Sequence, residues 1–594
     1  MKQHIAHMLR EKASAYKTKE VFRYKDKISS VYKSISWSEL INYTEKVSES
    51  LVQLGFGFND KIGIFSSNRP EWTIADLGIL SVRGIVVPFY ATSSVQHVKY
   101  IVDETRMKLM FVGNSEQVEK ALWLLENCKS LEKVVVFDND VSQTDERCIT
   151  WEYFLKISAE NNHKESLNKL LEEAQPDDLA TIIYTSGTTG ESKGVMLGHD
   201  NFMSAFKIND ERLKINDNDI SLCFLPLSHV FERTWTYFLL YCGAINVFLE
   251  NPRDVIQELP VVKPTLMCTV PRFYEKTYEG IYAETEKWPS FKKKIFNWSI
   301  RTGLESIEYK KDSRHLPLTL KVKLFIADKL VLAKLRQVFG GKIKFLPCAG
   351  AAIDSKLLRF FHATGIFINY GYGATETTAT VSCFRSDKYN FDYCGSIMPE
   401  TNVKIGENNE ILVKGNTVFK GYYNKPEETN KVLKNGWYYT GDEGYIAEGD
   451  YLVMTDRIKD LIKTSGGKYV SPQKIELLLS QNKYIEQVVV LGDNKKYITA
   501  LIVPSHHNLV VYAKEMDLNI DDNQQFIENA LILDFFQKQI DECQKDLTPY
   551  EKVIKFALLP ETFSIDNKLL TNTLKIRRKA IAEKYSDLIE KMYL

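Results

Sequence analysis

The run Leu179-Ala-Thr-Ile-Ile183 reads as a buried strand, and it leads directly into the loop Tyr184-Thr-Ser-Gly-Thr-Thr-Gly-Glu-Ser-Lys-Gly194. No other junction in the chain constrains it so tightly. Gly187, Gly190 and Gly194 let the backbone approach an anion closely. Thr185, Ser186, Thr188 and Thr189 add hydroxyl donors, and Lys193 adds a positive charge. Together they make a cradle for a polyphosphate. It is not a GxxxxGK[ST] loop, because its lysine follows Glu-Ser rather than glycine. A plain Gly/Ser/Thr-rich surface turn is the alternative. The density of phosphate-binding groups directly after a buried strand disfavours it.

Upstream, helical and strand-like patterns alternate. Ser36-Trp-Ser-Glu39 reads as a capping box, and Leu40, Val47, Leu51 and Leu54 follow at the spacing of one helix face. Gly55 is placed to end that helix. Ile62-Gly-Ile-Phe65 and Ile85-Val-Val-Pro88 read as short buried strands, with a helix over 71–82 between them. Strand, helix, strand at this spacing predicts a parallel sheet. Residues 282–335 carry almost no glycine and read as an inserted helical segment. Over 391–451 glycines and short β-like runs predict a small antiparallel, barrel-like subdomain. The last 130 or so residues mix strands, Gln487–Leu491 and Ile498–Val503, with charged helices in an α+β pattern.

A chain of 594 residues is too long for one core, so at least two domains are expected. With 77 basic and 77 acidic residues, nothing in the bulk charge argues for a nucleic-acid partner. The nine cysteines form no CxxC pair, which disfavours a zinc site or disulfide framework and fits reduced thiols in a cytoplasmic protein. The charged start, MKQHIAHMLREKAS, does not read as a signal peptide. The longest apolar stretch, Phe238 to Leu249, is too short to span a bilayer. Lys292-Lys-Lys294 and the nearby aromatics could touch a membrane surface, but they read first as a solvated helical face.

The string YTSGTTGESKGVML closely resembles the phosphate-loop signature of the adenylate-forming superfamily. Further segments match in order along nearly the whole chain: LPLSHVFER (225–233), PRFYEK (271–276), CAGAAI (348–353), YGYGATET (370–377), GWYYTGD (436–442) and DRIKDLIKTSGGKYVSP (456–472). HVFER with its following aromatics, the helical insertion and the terminal LLTNTLKIRR resemble long-chain fatty acyl-CoA synthetases. The resemblance implies an α/β fold. A large N-terminal adenylation domain (1–456) would hold parallel α/β sheets and the small β subdomain, and a small mobile α+β C-terminal domain (457–594) would follow.

The residues themselves suggest parts of a nucleotide site. Tyr372 can stack on adenine, with Gly373 its neighbour in sequence, and Gly350 and Ala351 are small enough for adenine to lie against the backbone. Thr375 can donate to the α-phosphate, and Glu376 is a hard oxygen ligand suited to Mg²⁺. Asp442 can accept from ribose hydroxyls. The resemblance adds that Thr185 helps hold the Mg²⁺, that Arg457 reaches the sugar, and that His229 stands at the acid and phosphate site. It also implies that Lys575 orients the carboxylate, although Asn572 and Leu574 depart from the family's pattern there. Lys459 would be the hinge, and Ser465, Gly466 and Gly467 would flank coenzyme A. Trp235 and Phe238 either line an acyl pocket or are ordinary core aromatics. The implied reaction joins a fatty acid to coenzyme A with ATP, by way of an acyl-adenylate. Two alternatives remain: an acyl-AMP ligase that serves a carrier protein, and a silent nucleotide-binding regulator.

Overall fold

The computed structural model describes residues 3–138, 145–159, 163–185, 192–458, 461–515, 527–564, 567–571 and 576–594. Its first sheet has eight strands. From one edge they run Gly421–Tyr422, Lys193–Gly198, Leu179–Thr185, Ile85–Phe89, Lys61–Phe65, Leu109–Val112, Lys133–Val136 and Cys148–Thr150. All pairings from Leu179–Thr185 to Cys148–Thr150 are parallel. Their central strands are apolar and buried on both faces, as a sheet covered by helices on both sides requires. Pro70–Ser81, the helix between the Lys61 and Ile85 strands, starts on a proline and is buried almost all round. Ser36 and Glu39 close the capping box of the helix Trp37–Gln53, and Gly55 follows with a φ of +83°.

The second sheet begins with Tyr32–Ser36, Glu20–Lys25, Ile245–Phe248 and Ile220–Cys223. Single bridges Ser221–Leu266, Leu266–Phe345 and Thr269–Cys348 carry it on to Leu346–Cys348. From there it continues through Ile368–Tyr372, Ser382–Cys383, Ser396–Ile397, Tyr451–Arg457, Trp437–Ala447, Glu410–Lys414 and Asn402–Ile405. The antiparallel strands expected over 391–451 are therefore hydrogen-bonded, through Ser382–Cys383, to the parallel pair Leu346–Cys348 and Ile368–Tyr372. The same region also reaches the first sheet, where Gly421–Tyr422 pairs with Val195–Met196.

The inserted segment is helical: Pro271–Glu286, Ser290–Lys310, Leu318–Ala327, a π turn over Asp328–Leu332, and Ala333–Val338. In the C-terminal part a three-stranded sheet places Ile498–Pro504 between Ile485–Leu491 and Val553–Leu558. Val488, Val490, Ala500 and Ile502 meet the helices Pro472–Leu479 and Ala530–Cys543 on one face. Val489, Leu491, Leu501 and Val503 meet the C-terminal helices on the other. That alternation follows from the period of two along a strand.

Candidate functional site

Thr185 and Lys193 are register partners at the ends of two antiparallel strands. They bracket the phosphate-loop segment, of which Ser186, Gly187, Thr188, Thr189 and Gly190 lie outside the described residues. The Thr185 hydroxyl donates to the Lys193 carbonyl at 3.5 Å. The Lys193 ammonium is not open to solvent alone. It lies 2.5 Å from a Glu428 carboxylate oxygen and 5.1 Å from the centre of the Tyr422 ring. Lys193 and Lys431 together hold the Glu428 carboxyl at about 2, well below the usual range.

Tyr422 joins this edge to the metal candidate. Its backbone pairs with Val195, and its hydroxyl donates to Glu376 Oε1 at 2.9 Å. Glu376 sits in a tight turn, Thr375–Thr377, from which Thr378 and Ala379 emerge with φ of +49° and +79°. Gly373 allows that reversal: a Cβ there would lie 1.7 Å from the Ala379 carbonyl oxygen. Thr375 is buried at the start of the turn. Burial raises the Glu376 pKa, and the Tyr422 hydroxyl and Arg457 act against it. Among the described residues no cluster of three or more His, Cys, Asp or Glu side chains stands ready for a metal. A carboxylate in a turn beside the Lys193–Gly198 strand fits Mg²⁺ nonetheless, because Mg²⁺ keeps several waters and takes substrate phosphate oxygens for the rest of its shell.

Tyr372, Asp442 and Arg457 form a second group. The Tyr372 hydroxyl donates to Asp442 Oδ2 at 2.5 Å, and Arg457 Nε stands 3.3 Å from Asp442 Oδ1. Asp442 and Arg457 face each other across adjacent strands. A carboxylate with two acceptor oxygens is the group type that takes hydrogen bonds from sugar hydroxyls. Leu346–Cys348 and Ile368–Tyr372 run parallel, so Gly350, Ala351 and Tyr372 gather at the carboxyl ends of neighbouring strands. That is where open α/β sheets leave a binding crevice. Gly350 has a φ of +94° and open space around the position of a Cβ, and the Tyr370 hydroxyl donates to the Ala351 carbonyl at 3.4 Å.

Trp235 and Phe238 are buried on the helix Val230–Cys242. They are core residues, yet they also line a narrow cavity of about 40 Å³ together with Phe231, Thr234, Gly371 and Tyr372. The apolar wall and the Tyr372 group thus share one cavity. Trp235 Nε1 donates to Ser221 Oγ at 2.9 Å, which fixes its ring. His229 caps the same helix, its Nδ1 accepting from the Phe231 N–H at 3.2 Å. Accepting at Nδ1 places the proton of the neutral ring on Nε2. Asn68 sets the preceding turn, accepting from the Leu227 N–H at 3.0 Å and donating to the Leu225 carbonyl at 2.7 Å.

The last two residues of HVFER are buried ionisable groups. Arg233 ion-pairs with Asp76 (Nη2 to Oδ1, 2.5 Å) and donates to Thr181 Oγ1 at 2.6 Å. Thr181 lies on the strand that enters the phosphate loop, so this network ties the Val230–Cys242 helix to that strand. Glu232 is fully buried, and burial pushes its pKa up to about 8, with the Cys223 thiol and the Leu225 backbone acting against the rise.

Two expected residues of the C-terminal part, the hinge Lys459 and Lys575, lie outside the described residues. The flanks of Lys575 are described: Leu570 and Ile576 bridge, and the Arg577 N–H donates to the Leu569 carbonyl at 2.9 Å. Burial lowers the pKa of His97, and the nearby Arg577 charge lowers it further. His97 belongs to the helix Val95–Thr105. Glu104, on that helix, accepts from the Tyr184 hydroxyl at 2.5 Å, and Tyr100 donates to the Ser192 carbonyl at 3.3 Å. One helix therefore meets both flanks of the phosphate loop. Ser465, Gly466 and Gly467 form the exposed tip of the hairpin between Ile462–Lys463 and Tyr469–Val470, where the Ser465 N–H donates to the Lys495 carbonyl. They are not among the residues gathered around Tyr372. The sequence did not single out Tyr422, Glu428, Glu104 or Asn68, because their partners lie far along the chain.

Residues 9–423 match the AMP-binding enzyme family, and residues 459–594 match the AMP-binding enzyme C-terminal domain. The chain belongs to the AMP-binding enzyme family. It is 31% identical over 593 residues to "Long-chain-fatty-acid--CoA ligase 5" of Rattus norvegicus, covering 95% of this chain and 84% of that one. It is 29% identical to "Long-chain-fatty-acid--CoA ligase FadD15" of Mycobacterium tuberculosis, covering 96% and 94%. Solved structures share the fold. The anthranilate CoA ligase AuaEII with anthranoyl-AMP has a TM-score of 0.73 at 16% identity, covering 99% of this chain and 98% of that one. ATP-bound MatB from Rhodopseudomonas palustris has 0.69 at 19%, covering 99% and 100%. The two-part adenylate-forming architecture expected from the sequence is the one observed.

Proposed function

We propose that this enzyme is an AMP-forming ligase that activates a long-chain fatty acid with ATP and passes the acyl group to coenzyme A. The observation that carries the reading is the shared cavity, in which the apolar wall of Phe231, Trp235 and Phe238 meets Gly371 and Tyr372. A carboxylate whose tail lies along that wall reaches the group that receives the nucleotide. The cavity's 40 Å³ suits a few waters at most, so its walls must part for an acyl chain. The relatives named as long-chain fatty acid ligases, which align over nearly the whole chain, support the same substrate class and do not favour a carrier-protein ligase or a silent regulator.

Each residue has a task in this reading. Tyr372 and the Gly350–Ala351 backbone bound the adenine, and Asp442 and Arg457 hold the ribose. Thr185, Lys193 and the loop between them take the β- and γ-phosphates. Glu376 and Thr185 would hold Mg²⁺, which supplies charge neutralisation at the phosphates. His229, Thr375 and Lys575 orient the carboxylate for attack on the α-phosphorus, where like charges must approach. Pyrophosphate leaves, the coenzyme A thiol then attacks the acyl carbon, and AMP leaves. Rotation of the C-terminal part about Lys459 would exchange Lys575 for Ser465–Gly467 between the two steps.

The test is pyrophosphate release and thioester formation with a panel of fatty acids, in wild type and Lys575→Ala. The expected result is turnover with long chains, with the variant losing pyrophosphate release but keeping thioester formation from supplied acyl-AMP. Equal loss of both steps would refute the division of labour, and thioester formation only with a carrier protein would refute coenzyme A as acceptor.

A further inference from the structure

The inserted helices carry an apolar face turned outward. On Leu318–Ala327, Leu318, Val322, Phe325 and Ile326 recur at the spacing of one helix side. All four are exposed, by 77, 54, 60 and 45%. Leu320 and Ala327, on the other side, are buried. Lys321 and Lys323 flank the apolar stripe, and Lys329 follows with its ammonium 4.5 Å from the Phe325 ring centre. The neighbouring helix Ser290–Lys310, packed against this one, repeats the pattern. Phe291, Ile295 and Trp298 are exposed, while Phe296, Ser299 and Ile300 are buried.

The charge around this face is one-sided. From Ser290 to Val338 there are twelve lysines and arginines against four acids, a net of +8 in a chain whose total is zero. Three of the four acids are already engaged, Glu308 with Lys311 and Arg359, Asp328 with Arg336, and Asp312 with Arg314, while Glu305 forms no ion pair among the described residues. Lys292, Lys294, Lys321, Lys323 and Lys329 form none there either. Beside the start of the Leu318 stripe, Lys310, Arg314, His315 and Lys321 line a recess of about 510 Å³.

We propose that this face docks the enzyme on an anionic phospholipid bilayer. The two apolar stripes would lie in the interface plane, the flanking lysines would meet the headgroups, and the recess would take headgroup phosphates. Exposed apolar side chains between unpaired lysines are what an interfacial helix requires. No helix among the described residues is long and apolar enough to cross a membrane, so the contact is peripheral. A second copy is the poorer occupant, because a two-fold contact would set this basic face against itself. The proposal does not depend on which acid the enzyme activates.

Flotation with phosphatidylcholine vesicles, with and without phosphatidylglycerol, tests it. Wild type is expected to float with the anionic vesicles, to dissociate as salt rises, and to ignore vesicles of phosphatidylcholine alone. Lys321→Gln/Lys323→Gln should weaken binding about 30-fold, at about a fivefold loss per lysine. Val322→Asp/Phe325→Asp should abolish it, with circular dichroism and pyrophosphate release from a short soluble acid unchanged. Equal flotation with both vesicle types would overturn the proposal. So would unchanged binding by either variant, or an absence of vesicle binding together with self-association that Phe325→Asp removes.

Discussion

Replacing Asp76 by Asn isolates what holds the two halves of the site together. Asp76 and Arg233 are both fully buried. The carboxylate receives Arg233 Nη2 at 2.5 Å, Arg233 Nε at 3.1 Å and the Tyr237 hydroxyl at 2.5 Å. The amide keeps the shape and removes the charge, which leaves a guanidinium in the core with only neutral partners. Stranding one member of a buried pair costs about 3–5 kcal/mol. The cost should fall on the contact between the Val230–Cys242 helix and the Leu179–Thr185 strand, since Arg233 spans them. Native-state hydrogen exchange is the assay, because a multidomain chain need not unfold in one step. Amides of both elements should exchange at least about 100-fold faster in Asp76→Asn, with those of the C-terminal sheet unchanged. The double variant Asp76→Leu/Arg233→Met, with no charge left to strand, should be less destabilised than the sum of the single changes. Exchange within twofold of wild type, or strict additivity, would refute the reasoning.

Two further outcomes follow from buried or paired charges. Glu232 titrates at about 8 in the folded chain against an ordinary 4.5. Between those values the folded state holds a proton that the unfolded state has lost, so stability falls as pH rises from about 4.5 to 8. Glu232→Gln should remove that slope, and denaturation midpoints of the two proteins measured across this window should diverge most near pH 8. A constant difference across the window would show that the carboxyl is charged in the fold. Glu428 occupies Lys193, so an incoming phosphate must displace it. Glu428→Gln should lower the KM for ATP severalfold, as a partly exposed ion pair of about 0.2–1 kcal/mol allows, with kcat unchanged, and a raised KM would show that Glu428 helps to bind the nucleotide instead.

Much of this molecule is written locally. The capping box at Ser36, the strands around Ile62 and Ile85 and the alternation in 485–504 are patterns over twenty residues or fewer, where backbone period and capping chemistry act directly. The phosphate loop, Gly371–Glu376 and Asp442 stand out for the same reason, as clusters of chemical groups within a few positions. Long-range pairing is not written that way. Tyr422 and Glu376 are 46 residues apart, Arg233 and Asp76 157, and Lys193 and Glu428 235. A sequence records that such a side chain is polar, but not what it meets. Only the tertiary structure joined the antiparallel strands of 391–451 to the Ile368–Tyr372 sheet. It also turned the apolar stripe of Leu318–Ala327 outward, because a helix's periodicity says that one face differs from the other and packing alone decides which of them is covered.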